Sequence, residues 1–63
     1  MRKTTIFIEV MRTKNGWKLS ADNPRYGAVD RTGVPDNDLG NVMEGITDYV
    51  EHELGCVCDF YIV

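Results

Sequence analysis

DNDLGNVMEGITDYVEHEL, residues 36–54, is the stretch of this chain with a sustained helical period. Leu39, Val42, Met43, Ile46, Val50 and Leu54 recur at three- and four-residue spacing, which gathers them on one side of a helix. Glu44, Asp48 and Glu51 project to the opposite side. The segment therefore predicts a helix with an apolar floor and an acidic roof. Asp36 offers a side-chain oxygen as N-cap, and Gly55 suits the left-handed residue that ends a helix. Gly40 and Gly45 each cost about 1 kcal/mol against alanine, and Glu53 projects into the apolar arc, so the helix is expected to fray or leave its support there.

An isolated helix of this length is marginal in water, so the remaining chain must supply a surface for the apolar face. From Lys3 to Met11, Thr4, Ile6, Ile8 and Val10 alternate with Thr5, Phe7, Glu9 and Met11, the pattern of a half-buried strand with the first set inward. Asn15-Gly16 follows, the dipeptide most suited to a type I′ hairpin turn. A two-residue loop there sets Lys14 opposite Trp17, Arg12 opposite Leu19 and Val10 opposite Ala21, which places Trp17, Leu19 and Ala21 on the face of Ile6, Ile8 and Val10.

Residues 22–35, DNPRYGAVDRTGVP, are rich in turn formers, with a short third strand at 26–31 or a functional loop as the alternatives. At the end, Cys56, Cys58, Phe60 and Ile62 alternate with Val57, Asp59, Tyr61 and Val63, and the first set should face the helix. The whole reads as a single α+β domain over residues 1–63. Its architecture is a two-layer sandwich in which one helix covers an antiparallel sheet of three or four strands, in the order β-β-(β)-α-β.

Composition narrows the function. With 43% hydrophobic and 27% charged residues the chain is ordinary for a folded domain, and at 63 residues its single core is small enough that self-association or a partner is a common remedy. The opening TTIFIE run is too short and too charged for a signal peptide or a membrane span. The two cysteines form no disulfide framework, so the cytoplasm is the expected compartment. The net charge of −3 conceals a dipole along the chain: residues 1–31 carry +4 and residues 32–63 carry −7.

The order of elements resembles the N-terminal domain of HicB-family antitoxins, whose β-β-β-α-β arrangement is related to part of the ribonuclease H fold. The resemblance is carried by TTIFIE, by GWKLSADNP, by a short Gly27-containing strand before the helix, and by a helix ending in DYVEHEL. Pro24-Arg25-Tyr26-Gly27 stands where family members usually have a Pro-Gly-Cys-like turn. No C-terminal DNA-binding segment is seen up to Val63, so autoregulation by DNA binding is not among the expectations. The resemblance implies a protein that binds and blocks a small basic ribonuclease toxin.

The residues themselves point to binding rather than catalysis. Glu44 and Asp48 are four apart and Asp48 and Glu51 three apart, like-charge spacings that weaken a helix by a few tenths of a kcal/mol each. Such a stripe suits attraction to a basic protein partner, a toxin or a nuclease, as well as it suits a solvated face. On the other side of the sheet, Phe7, Val57 and Tyr61, with Met11 and Val63, form an uncovered apolar surface expected to mediate homodimerisation through the face or an edge strand; Lys18, Glu9 and Asp59 interrupt it.

One histidine, His52, with Cys56 and Cys58 does not make a convergent metal site, because the helix places His52 on its polar flank and the strand turns both thiols inward. No nucleophile or phosphate-loop motif is present, so no catalytic residue, metal or cofactor is expected. Glu9, Asp22 and Asp30 fit surface pairs better than a nuclease carboxylate cluster. Two further functions stay open: a phage-encoded inhibitor whose carboxylates mimic nucleic acid toward a host defence nuclease complex, and a small nucleic-acid binder using Arg2, Lys3, Arg12, Lys14 and Lys18. The acidic total disfavours the latter.

Overall fold

In the computed structural model the described residues are 3–21 and 29–63. They form strand β1 (Thr5–Thr13), strand β2 (Gly16–Ala21), strand β3 (Asp30–Val34), a helical segment, and strand β4 (Val57–Ile62). The helical segment opens with a 3-10 turn at Asp36–Asp38, continues as α1 (Leu39–Asp48) and ends in a wider π-helical turn at Tyr49–Glu53. The four strands make one sheet in the order β3-β2-β1-β4. The α+β class is as expected.

The sheet is mixed rather than antiparallel. β1 pairs antiparallel with β2 and β2 with β3, whereas β4 pairs parallel with β1. The physical reason is the direction of travel. Two hairpin-like reversals leave β3 running the same way as β1, and the helical segment then carries the chain back along the sheet, so the next strand must again run with β1.

The hairpin register also differs, by two residues. Thr13 faces Gly16, Arg12 faces Trp17, Val10 faces Leu19 and Ile8 faces Ala21. No residue but glycine has positive φ among those described, so Lys14 and Asn15 turn with negative φ, and the positive φ falls on Gly16 at 125°. The loop still has two residues, Lys14-Asn15, but lies one position earlier, so glycine sits after the turn rather than within it. Gly16 is required there twice over, since a Cβ on it would lie 2.5 Å from the Val34 carbonyl oxygen of β3. A slip of two preserves parity, so Trp17, Leu19 and Ala21 still share the face of Ile6, Ile8 and Val10.

β3 starts within the expected 26–31 stretch but runs on to Val34; residues 26–28 lie outside the described residues. Its pairing with β2 steps from Trp17↔Val34 to Leu19↔Arg31, which leaves one extra residue on β3. Gly33, at φ 64°, takes the left-handed conformation such a bulge requires.

Between sheet and helix lie the buried Ile6, Ile8, Val10, Leu19, Val29, Val34, Ile46, Val50 and Cys56. Leu39, Val42, Met43, Leu54, Trp17, Cys58 and Phe60 pack around them. All six apolar positions read from the helical period therefore meet the sheet. Ile62 is the exception on β4: it pairs with Val10 on the helix side yet is 76% exposed. The helical segment reaches β4 through its final wide turn, near the start of the strand, and leaves the far corner uncovered.

Candidate binding surfaces

Among the described residues no cavity opens, so the surfaces that can engage a partner are faces and edges. Glu44, Asp48 and Glu51 are all exposed. The one ion pair among the described residues joins Arg12 to Asp36, so the three helix carboxylates are not neutralised within the described part of the domain. Glu44 and Asp48 stand one regular turn apart on α1, with their apolar counterparts Ile46 and Val50 turned into the core.

Glu51 is set apart from that pair by the wide turn. Leu54 donates its N–H to the Tyr49 carbonyl at 3.3 Å, a bond spanning five residues. Each residue in such a turn advances roughly 80° about the axis instead of about 100°, so over three residues Glu51 swings some 60° from the column that regular helix geometry assigns it. The same turn keeps Glu53 exposed, which resolves the conflict in the sequence without fraying, and Gly55 at φ 64° closes the helix as expected.

Asp36 does not cap the helix. No side-chain capping bond forms at the start of the helical segment, where Pro35 precedes the first turn with φ −65°. The Asp36 carboxylate instead accepts bonds from the Arg12 guanidinium at 2.8 Å and the Trp17 indole N–H at 2.7 Å, while Arg12 lies 5.3 Å from the centre of the Trp17 ring. Charge-assisted bonds to a preorganised guanidinium outrank a single capping bond to a backbone amide. This clasp ties the start of the helix to the hairpin and uses one of the basic hairpin residues for structure. Lys18 faces the opposite side of the sheet from Arg12, and Lys14 occupies the turn, so these charges do not share a face. Arg2 lies outside the described residues.

On the outer sheet face, Phe7 (46% exposed), Val57 and Tyr61 come together. Phe7 pairs with Asp59, and Val57 and Tyr61 flank that position on the same face of β4. Glu9 pairs with Tyr61 and continues as a row through Ser20 and Asp30 across β2 and β3, so Glu9 and Asp59 both interrupt the patch. Asp22, the third member of the carboxylate set considered above, lies outside the described residues.

Cys56 is buried and donates its Sγ–H to the Leu54 carbonyl at 3.3 Å. Cys58 is half-buried; desolvation pushes its pKa above the usual thiol value, a hydrogen bond with Thr47 opposes this, and Asp59 and Glu51 add to the rise. His52 is exposed on the wide turn, and among the described residues no set of three His, Cys, Asp or Glu side chains converges as metal ligands would. The described residues contain no helix long and apolar enough to cross a membrane. In comparison with known proteins, no family model, no curated protein and no solved structure matches the chain.

Proposed function

We propose that this domain is a non-enzymatic, antitoxin-like inhibitor that binds a small basic protein partner, a ribonuclease of the kind HicB-type antitoxins block, through the solvent face of its helix. One observation carries the reading: Glu44, Asp48 and Glu51 are exposed without an ion pair among the described residues, on a helix whose packing needs are met by its other side. Negative charge held on a rigid element steers a basic partner and fixes its orientation. The carboxylates at positions 48 and 51 also lie toward the negative end of the helix, so the arrangement costs the helix a little stability that binding would recover.

The test is a nuclease-treated pull-down with the intact chain and with the E44K/D48K/E51K variant. The reading expects a stoichiometric small basic protein with the parent chain and at least a tenfold weaker complex with the variant. It also expects the variant to fold at least as stably as the parent, because lysines at positions 48 and 51 suit the negative end of the helix dipole better than carboxylates do, while the 44–48 and 48–51 pairs stay like-charged. Unchanged binding would reduce the acidic face to a solvated surface. Recovery of a large nucleoprotein complex would replace the toxin with a defence nuclease and make the carboxylates phosphate mimics. Self-association belongs to the same reading, with Phe7, Val57 and Tyr61 as its apolar surface.

A further inference from the structure

We propose that two copies of this chain pair through the open edge of β4, antiparallel and centred on Phe60, to make one continuous sheet. The proposal rests on the self-association put forward above and specifies the surface that carries it.

The two sheet edges differ in how they are protected. β3 carries Asp30 and Arg31 and is broken by the bulge at Gly33, devices that discourage further pairing. β4 has neither proline nor lysine and no irregularity in its register with β1 from Thr5↔Val57 to Val10↔Ile62. Among the described residues no strand occupies its other side. Val57 and Val63 donate their N–H groups toward β1, to the Thr4 and Val10 carbonyls at 2.8 and 3.0 Å. By the two-residue period of a strand, the backbone groups of Cys58, Phe60 and Ile62 point the other way, to the open edge.

That parity restricts how a second copy can add. In an antiparallel pair, residues whose backbone groups face the partner must oppose one another. With Phe60 opposite its own copy, Cys58 meets Ile62, Asp59 meets Tyr61 and Val57 meets Val63 of the second chain, each pairing occurring twice. The register centred one residue earlier sets Asp59 against Asp59, a repulsive direct contact that also shortens the ladder. The register one residue later discards Cys58. The Phe60-centred register thus uses the whole strand and keeps like charges apart. It also joins the two outer patches of Phe7, Val57 and Tyr61 into one surface. The apolar side chain of Ile62, 76% exposed in the single chain, is brought beside the half-buried Cys58 of the other copy.

The experiment has two parts. The mass of the unmodified protein in solution is measured first, then disulfide trapping in a background with Cys56→Ala and Cys58→Ser. In the proposed register positions 59 and 61 form a non-hydrogen-bonded pair, with Cα atoms about 4.5 Å apart, within reach of a disulfide. The expected results are twice the chain mass, a covalent dimer when D59C and Y61C proteins are mixed, and little from D59C alone. Ile62→Lys, at an exposed position, should weaken the dimer at least tenfold. A monomer at high micromolar concentration overturns both the register and self-association. A dimer that survives Ile62→Lys but is lost on Phe7→Lys overturns the edge assignment and leaves association through the outer face. Efficient trapping of D59C with itself overturns the register.

Discussion

Alanine at two glycines should change stability in opposite directions, and the difference measures how firmly the hairpin is held against β3. At Gly16 the backbone sits at φ 125°, a conformation that costs a residue with a Cβ about 1–3 kcal/mol. The added Cβ would also lie 2.5 Å from the Val34 carbonyl oxygen, backbone rather than a flexible side chain, so β3 must move away. Overpacking of that kind adds about 1–3 kcal/mol. Gly16→Ala is therefore expected to cost about 2–6 kcal/mol in all, a large share of the stability of a domain this size. At about 4–8 °C per kcal/mol the midpoint should fall by roughly 10–50 °C. Gly45 lies within α1 with ordinary helical φ and nothing within 4 Å of an added Cβ, so Gly45→Ala should stabilise by about 0.5–1 kcal/mol. Urea and thermal unfolding followed by circular dichroism and by Trp17 fluorescence supply both numbers. If Gly16→Ala costs less than about 1 kcal/mol, or the two variants shift the same way, the close approach of hairpin and β3 is not part of the native state.

The clasp and the thiols supply the remaining predictions. Asp36→Ala should cost about 1 kcal/mol, since Arg12 and Asp36 are 60% and 68% exposed and solvent screens their pairing; Trp17 emission should shift on losing its indole partner, and an unchanged spectrum would place the indole elsewhere. Cys56 should resist alkylation until the protein unfolds, and Cys58 should react more slowly than a free thiol at pH 8 because burial and the charges of Asp59 and Glu51 hold it protonated. A thiol whose pKa is raised on folding stabilises the native state below the unfolded value of 9.0 and loses that contribution as pH climbs through the folded value, so stability should decline above pH 9, less so in Cys58→Ser.

Much of this architecture was legible in the sequence because periodicity survives local error. The six apolar helix positions and the alternation of β1 each report a buried face, and both faces are where the period puts them. The hairpin shows why: its register was displaced by two residues, yet every side chain kept its face because two is the strand period. What periodicity does not encode is direction, so the parallel pairing of β4 with β1 had to come from following the chain's reversals. It is equally blind to competition for one side chain. Asp36 is a good capping residue in isolation, and only the fold reveals that Arg12 and Trp17 claim its carboxylate.

The wide turn at the end of the helix shows how a conflict between two sequence signals is settled in space. Regular helix geometry would put Glu53 about 60° from Val50 and Leu54 about 40° from it on the other side, so both would approach the sheet and a carboxylate would have to be buried. Widening the turn moves Glu53 to roughly 115° while Leu54 stays within some 35° of Val50, which satisfies the apolar residue and frees the charged one. Val50 is fully buried, Leu54 packs on the core, and Glu51, His52 and Glu53 are exposed. The same rotation displaces Glu51 from the line of Glu44 and Asp48. The acidic surface is thereby bent around the helix end instead of running straight along it. A basic partner that met all three carboxylates would have to follow that bend, and the edge strand lies beside its end. If both proposed contacts are made, reversing Glu51 alone should be felt at the dimer edge as well as by the partner, whereas reversing Glu44 should be felt by the partner only.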